Sequence, residues 1–422
     1  MAPRMLTSNE AAKRLGVKPQ TLYAYVSRGM LERHVADDGR SSRFDAAEVE
    51  RLAKKGRGGG TTPANDAAID VVISTELTAI AEGRLYYRGR EVVALADDHR
   101  FEQVAEWLWT GELGRHTPDW PLDEPTTRTG AAVAAALAPT ARLADRIRTI
   151  AAAIAPHDAF RFDLRPESVV VSARTLVNHV VESLPLQRPL PAKPKCLADR
   201  LWPRLTDKAP FPGALDLLDA ALVLVADHEL AASTLAARIA ASTRADPYAV
   251  VGAGLGAFGG PLHGSASDEV HRTFERAAAI GDAEGVVADQ LRQGRFVAGF
   301  GQRLYPDGDP RAIALLARLD RSGAPRKALA TVHAVREAAS RRVPVRPNVD
   351  YGLAALTFSA GMGADAGEAL FAIGRMAGWI AHAMEEYSAA PLRLRPRAVY
   401  VGPAPTTVNG PASPRARGSA SR

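Results

Sequence analysis

Apolar residues recur with the three- and four-residue spacing of an amphipathic helix along much of the chain. Of all features of the sequence, this periodicity most restricts the folds that the chain can adopt. Alanine is abundant and runs of β-branched residues are few, which favours helix over strand. Weak alternation over residues 73–80 predicts one short strand. The sequence therefore predicts a mainly α fold, whose clearest helical segments are residues 101–109, 131–155 with a break at Pro139, 215–242 and 365–387.

A glycine-rich stretch early in the chain predicts a domain boundary. With 422 residues, the chain is long enough for two or three domains and a sizeable core. Four glycines between residues 56 and 60 are typical of a flexible linker. Pro, Gly, Ser and Arg dominate the C-terminal end and predict disorder there. We expect a small domain over residues 1–57, a linker over 58–69, a helical body over 70–402 and a disordered tail over 403–422.

Positive charge is concentrated at the two ends of the chain. The formal net charge is +6, and residues 1–57 carry twelve Lys/Arg against seven Asp/Glu. The segment after residue 402 contributes three arginines, so the body has a net charge of about −2. This distribution indicates an anion-binding module attached to a nearly neutral body.

Cysteine usage and hydropathy exclude several classes of protein. Cys196 is the one cysteine, so no disulfide forms within the chain, and no CxxC or HExxH motif indicates a metal site. The N-terminus lacks a signal-peptide pattern, and nowhere do about 18 apolar residues run together. We expect a cytoplasmic protein with no structural metal and no membrane contact.

Residues 1–57 have the pattern of a helix-turn-helix. A cap near Thr7 precedes a short helix, Gly16 ends it, and Pro19 lies in the first turn of a second helix. A small wing around Arg43 and a third helix over residues 45–52 would follow. The phrases TLYAYVSRGML and SSRF resemble the winged helix-turn-helix of the MerR and excisionase type. The residues then expected to face DNA are Gln20, Thr21, Ala24, Arg28 and Arg43. A small helical interaction module with a solvated basic face is the alternative.

Several polar residues of the body lie in apolar or glycine-rich surroundings. His263 follows Pro-Leu on a glycine-rich turn, where a proton-exchanging side chain is poor core filler. Asp350 lies where a helix is expected to begin, and Arg375 has Phe371 and Trp379 on its own helix face. A buried Arg needs an anion from the protein or from a ligand. With His228, Arg311 and Arg395, these residues form a set suited to a small dicarboxylate and a carbon acid.

One apparent motif is rejected. Residues 252–257 match the G-x-G-x-x-A dinucleotide fingerprint, but that motif requires a preceding strand and a helix that opens on it. Here an alanine-rich helical segment precedes the glycines, so we expect no nucleotide site of this type.

The motifs HELAASTLAAR, GGPLHG, GFGQRLY with DPRA, NVD, FAIGRMAGWIAH and RPRAVYVGP stand in an order and spacing similar to the citrate synthase family. The opening ISTELTAI, GRLYYRG and FEQVAEWLWTGEL also resembles that family, so the resemblance covers about residues 70–402. It implies a large helical domain with an inserted small domain, a homodimer, and no cofactor beyond the CoA thioester substrate.

The resemblance also implies residue roles. Asp350 would remove a proton from acetyl-CoA, and neutral His263 would donate a hydrogen bond to the thioester oxygen. His228, Arg311 and Arg375 would hold oxaloacetate. Arg395 matches an arginine that the family contributes across the dimer interface.

Position 302 departs from the family. Relatives generally read GFGHRVY, with a His that polarises the oxaloacetate carbonyl, and Gln302 replaces that His. A Gln amide donates a hydrogen bond but cannot transfer a proton as an acid. If the His is a general acid, its loss would lower the reaction rate by roughly 10²- to 10⁴-fold. GGPLHGSAS also differs from the commoner GPLHGGAN.

Two kinds of function follow. One is a citrate synthase-type enzyme, slowed or retuned by Gln302, including use of propionyl-CoA as in a 2-methylcitrate synthase. The other is a DNA-binding regulator whose synthase-like body senses an acyl-CoA or a carboxylate. Retention of both Asp350 and His263 favours the enzyme.

Overall fold

The computed structural model divides the chain into two compact units, Met1–Ser74 and Thr75–Arg422, and each is described by itself. The structure describes residues 5–15, 26, 31, 33–35, 42–46, 48–49, 72–260, 263–293, 296–396 and 402. Gln20, Thr21, Ala24 and Arg28 lie outside these residues, as do the predicted linker over 58–69 and the predicted tail over 403–422.

The first unit combines a small sheet with a helix. Strand β1 (Met5–Thr7) leads into helix α1 (Ser8–Leu15), and strands β2 (His34–Val35) and β3 (Ser42–Asp45) follow. The antiparallel strand order is β1-β3-β2. The predicted cap of α1 is confirmed, because Glu10 N–H donates to Thr7 Oγ1 at 3.3 Å and Thr7 N–H donates to Glu10 Oε2 at 2.8 Å. A core that includes Leu6, Leu31 and Phe44 closes the unit.

The second unit opens with a three-stranded antiparallel sheet. Its strands are β4 (Thr78–Ala81), β5 (Arg84–Tyr87) and β6 (Arg90–Glu91). Gly83 has a φ of 72°, the left-handed conformation that the turn between β4 and β5 requires and that glycine adopts without steric cost. The strand predicted over residues 73–80 is present only in its second half.

Helices make up the rest of the second unit, as the periodicity predicts. In chain order they are α2 (Val92–Asp98), α3 (Phe101–Thr110), α4 (Glu124–Ala136), α5 (Leu143–Ile154), α6 (Pro166–Glu182), α7 (Leu197–Leu205), α8 (Ala214–Val225), α9 (Ala232–Ser242), α10 (Pro247–Phe258), α11 (Ala266–Ile280), α12 (Ala283–Arg292), α13 (Pro310–Arg321), α14 (Arg326–Ser340), α15 (Val349–Ser359) and α16 (Ala366–Ser388). The break expected at Pro139 separates α4 from α5. Within the ranges described, no helix is both long and apolar enough to cross a membrane.

Two sequence predictions about helices have different outcomes. The rejected dinucleotide fingerprint lies inside α10, so its glycines form no phosphate-binding turn, as expected. The single helix predicted over residues 215–242 is wrong, because the chain leaves the helix after α8 and re-enters it at α9. Glu229, between them, has a φ of 55°, which no helix accommodates. This break carries His228.

Helix α16 crosses the end of α8 at very short range. A Cβ on Gly378 would lie 2.5 Å from the Ala226 carbonyl oxygen and 2.4 Å from Asp227 Oδ1. A Cβ on Gly374 would lie 2.9 Å from the Leu222 carbonyl oxygen. The two glycines therefore allow α16 to approach the C-terminal end of α8, where the candidate site begins.

Candidate active site

Asp350 lies in the first turn of α15, where the sequence predicts a helix start. Asn348 caps this helix, since its side-chain oxygen accepts the Asp350 N–H at 3.1 Å. Asp350 is half-buried, and its Oδ1 is buried without a hydrogen-bond partner among the described residues. Burial raises the pKa of Asp350 to about 7, although Arg311 opposes the shift. The carboxylate is therefore a stronger base than an ordinary aspartate.

Arg311 lies in the first turn of α13 and is held by a neighbouring carboxylate. Asp309 caps the helix by accepting the Arg311 N–H at 3.0 Å, and it also binds the guanidinium through Nε and Nη2 at 2.9 and 2.8 Å. Although burial lowers it, the Asp309 carboxylate raises the pKa of Arg311 above its ordinary value. The guanidinium also lies over the ring of Tyr305, 5.7 Å from its centroid. Arg311 is therefore a fixed, permanent cation.

Arg375 is a buried cation to which no carboxylate of the described residues is hydrogen-bonded. Its side chain is 1% exposed, stacks on Phe371 at 4.8 Å and donates from Nε to the Val225 carbonyl at 2.8 Å. Nη2 is buried and has no hydrogen-bond partner in the described part of the chain. Burial lowers the pKa of Arg375 to about 10. Nε is bound to the end of α8, whereas the buried Nη2 is available to bind an anion.

His228 lies in the break between α8 and α9, close to both arginines. Its Nε2 lies 3.0 Å from the hydroxyl oxygen of Tyr305. Burial lowers the pKa of His228 well below its usual value, and Arg311 and Arg375 lower it further. The imidazole is therefore neutral at physiological pH and able to donate a hydrogen bond without carrying charge.

His263 is also neutral, and its hydrogen bonds orient it. Burial, assisted by Arg375, lowers the pKa of His263 to about 4. Its Nε2 lies 2.9 Å from Ser233 Oγ, which accepts a hydrogen bond from Trp379 Nε1 at 3.2 Å. With Trp379 donating to the oxygen, the Ser233 proton is available to His263 Nε2. The network favours the tautomer whose Nδ1 carries the proton as a donor.

The structure brings together five of the residues that the sequence singles out, namely His228, His263, Arg311, Asp350 and Arg375. They come from three helices and two loops, and the two arginines act electrostatically on both His228 and Asp350. Gln302 lines a neighbouring cavity of about 480 Å³ that also contains Tyr305 and Asp309. Arg395 is exposed, and no hydrogen bond or ion pair joins it to this cluster within the described part of the chain.

Sequence reasoning missed several residues that support the cluster, notably Ser233, Tyr305 and Asp309. A second missed set lies behind His228. Asp227 is fully buried and binds Thr78 of β4 and, at 3.1 Å, His382 Nε2. Arg238 donates to His382 Nδ1 at 2.9 Å and pairs with Glu385 and Glu386. The only available signal is that these charged residues interrupt otherwise apolar helix faces.

Two known protein families match this chain, one over each of its parts. The family described as citrate synthase, C-terminal domain, matches residues 69–397. The chain belongs to the citrate synthase family. A second family, described as a helix-turn-helix domain, matches residues 5–57. The chain thus combines a citrate synthase body with the N-terminal type of domain that its sequence predicts.

Individual relatives agree with this assignment. Citrate synthase 2 of Bacillus subtilis is 28% identical, with 79% of this chain and 94% of the relative aligned. 2-Methylcitrate synthase 2 of Corynebacterium glutamicum is 29% identical, over 75% of this chain and 88% of the relative. Among solved structures, a Thermoplasma acidophilum citrate synthase in a ternary complex with carboxymethyl coenzyme A and oxaloacetate gives a TM-score of 0.64 at 25% identity, covering 80% of this chain and 95% of that one.

Proposed function

We propose that the chain condenses acetyl-CoA with oxaloacetate and releases citrate and CoA, with the thioester as substrate and no resident cofactor. One observation carries the proposal. The unpartnered carboxylate oxygen of Asp350 belongs to the same cluster as a neutral His263 and an Arg375 with an unpartnered Nη2. A base, a neutral hydrogen-bond donor and an anion site are the groups that a carbon acid and a dicarboxylate require.

The chemistry follows from the charges of these groups. Asp350 takes a proton from the methyl carbon of the thioester, a step that its raised pKa favours. His263 donates a hydrogen bond to the thioester oxygen as negative charge develops there. Arg311 and Arg375 bind the carboxylates of oxaloacetate, and His228 lies beside them. The methyl-derived carbon bonds to the 2-oxo carbon of oxaloacetate as its carbonyl oxygen becomes an alkoxide, the alkoxide takes a proton from water, and hydrolysis of the thioester then frees CoA.

A panel of substrates tests the proposal. Free CoA is measured with a thiol reagent for acetyl-CoA and propionyl-CoA, each with several 2-oxo acids. Cys196, the one cysteine of the chain, is buried and contributes little background. Preference for propionyl-CoA would assign the 2-methylcitrate reaction, which the Corynebacterium relative supports. CoA release no faster than that of an Asp350→Asn variant with every pair would contradict the proposal.

We also propose that the chain forms a homodimer in which Arg395 serves the site of the partner subunit. Its exposure, and the lack of a hydrogen bond or ion pair from it to the cluster among the described residues, support this. Mixing Asp350→Asn with Arg395→Ala subunits tests it, since each variant alone has no intact site. If Arg395 acts across the interface, hybrids have one intact site, and a mixture reaches up to about a quarter of wild-type activity. If it acts within its own chain, the mixture stays inactive.

The helix-turn-helix match supports a second function, binding of DNA by residues 1–57. The net charge of +5 there suits a phosphate backbone, and Arg43 on β3 is the described member of the predicted DNA-facing set. A cytoplasmic location suits both functions. Fluorescence anisotropy with genomic fragments that flank the gene should detect salt-sensitive, sequence-specific binding that Arg43→Ala weakens. No specific binding at low salt would argue against this function.

A further inference from the structure

At position 302 the proposed reaction lacks the histidine that relatives have, and the glutamine side chain is turned to its own loop. Condensation turns the 2-oxo oxygen of oxaloacetate into an alkoxide, and a donor aimed at that oxygen stabilises the transition state. The Gln302 side chain folds towards its own loop, where its Oε1 lies 3.5 Å from the Leu304 N–H. No hydrogen bond joins Gln302 to His228, Arg311 or Arg375 within the described ranges.

Tyr305, three residues further along the same loop, does reach these residues. Its side chain is 2% exposed, its hydroxyl lies 3.0 Å from His228 Nε2, and its ring lies under the guanidinium of Arg311. The hydroxyl is thus placed among the groups proposed to bind oxaloacetate, whereas within the described ranges the Gln302 side chain is hydrogen-bonded only to its own loop.

We propose that Tyr305 is a further catalytic residue, whose hydroxyl donates the hydrogen bond to the 2-oxo oxygen in place of the histidine that relatives have at position 302. This inference rests on the proposed condensation. Tyr305 keeps its proton, and the donated hydrogen bond stabilises the developing alkoxide. Burial raises the pKa of Tyr305 above its ordinary value, so the hydroxyl remains a donor throughout the physiological range.

His228 allows this exchange of partners. In the structure, the Tyr305 hydroxyl and the neutral His228 imidazole satisfy one another. A bound dicarboxylate offers acceptor oxygens to His228, and the Tyr305 hydroxyl is then free to turn to the neighbouring 2-oxo oxygen. Because the phenol ring stays against Arg311, the hydroxyl oxygen keeps its position, and only the direction of its O–H bond changes.

Four proteins test the inference: wild type, Tyr305→Phe, Gln302→His and the double variant. We measure kcat and KM for CoA release, and oxaloacetate affinity by calorimetry. Tyr305→Phe should lower kcat by about 10²-fold, the usual cost of one oxyanion donor, with little change in oxaloacetate affinity. Gln302→His should raise turnover, and in that background the cost of Tyr305→Phe should shrink to less than about tenfold, because the histidine supplies the second donor.

Controls separate catalysis from folding. Phe keeps the ring that packs against Arg311, and thermal unfolding with calorimetry shows whether the variant is folded. Tyr387→Phe is the matched control, because the hydroxyl of this half-buried tyrosine donates to the Ala245 carbonyl at 2.6 Å and not to a residue of the cluster. It should keep wild-type kcat.

The remaining outcomes are distinct. Equal losses of kcat in both backgrounds, or a loss confined to oxaloacetate affinity, would each overturn the role of Tyr305 and leave the condensation standing. An active Gln302→His beside an inactive wild type would overturn both proposals. No CoA release from any of the four proteins would overturn the condensation itself, and the inference with it.

Discussion

The Asp309 carboxylate accepts a hydrogen bond from the backbone N–H of Val349 at 3.0 Å. The same Oδ2 atom binds Arg311 Nη2 at 2.8 Å. One carboxylate thus joins the start of α13 to the start of α15, and it fixes the distance between a proposed substrate-binding arginine and the proposed base, Asp350.

Removing this carboxylate should destabilise the protein and inactivate it. Asp309→Ala leaves Arg311 buried without its counterion, which costs about 3–5 kcal/mol. Denaturant titration measures this loss. Asp307→Ala, at an exposed position of the same loop, is the control and should be nearly neutral. A loss below about 1 kcal/mol at position 309 would show that water or a second group replaces the carboxylate.

The ionised Asp350 carboxylate should lower the stability of the fold at the pH where it acts as a base. Because its pKa is raised to about 7, the fold favours the neutral carboxyl; that stability is complete below the ordinary pKa and is lost as pH rises through about 7. Asparagine mimics the neutral form. Asp350→Asn should therefore unfold at a higher temperature than wild type at pH 8, match it near pH 4, and release no CoA. Equal melting temperatures at pH 8 would contradict the burial argument.

The same pKa predicts the pH dependence of the reaction. The ionised carboxylate is the base, so wild-type CoA release should fall as pH decreases below about 7. His263 and His228 contribute no inflection above pH 6, since burial keeps the pKa of each low. A rate that stays constant between pH 5 and 8 would exclude Asp350 as the titrating base.

Ser233 should matter through His263. Without the hydroxyl, His263 loses the partner that sets its tautomer, and Ser233→Ala should lower kcat by about 10- to 100-fold, less than the full contribution of a general acid–base group. Ser242→Ala is the matched control on the same helix, because that hydroxyl donates to the Ile239 carbonyl of its own helix at 2.7 Å. Comparable kcat values for the two variants would show that packing alone orients the imidazole.

Two helix glycines should respond oppositely to alanine. At Gly378 the new Cβ meets Asp227 Oδ1 and the Ala226 carbonyl, so Gly378→Ala should destabilise by about 1–3 kcal/mol and weaken oxaloacetate binding. At Gly256 a Cβ meets nothing within 4 Å, and Gly256→Ala should stabilise by up to about 1 kcal/mol. Urea denaturation measures the free energy of unfolding of both variants. A Gly378→Ala variant as stable as wild type would contradict the prediction.

Local patterns predicted part of this site, and tertiary contacts decided the rest. The capped helix start at Asp350 and the apolar face around Arg375 follow from neighbours in sequence. The contact between Tyr305 and His228 joins residues 77 positions apart, and no local pattern encodes it. The break at Glu229 was missed because it contains no glycine or proline; burial of Asp227 and the close approach of Gly378 impose it.

The buried contacts behind His228 have a consequence for how such a chain arises. Thr75 and Glu76, at the very start of the second unit, bind Glu385 of α16 at 3.0 and 2.8 Å, and Thr78 binds Asp227. The second unit therefore holds its own first residues in place by hydrogen bonds within the unit. These contacts lie within one unit, which makes the joining of a helix-turn-helix domain to a citrate synthase body accessible to gene fusion.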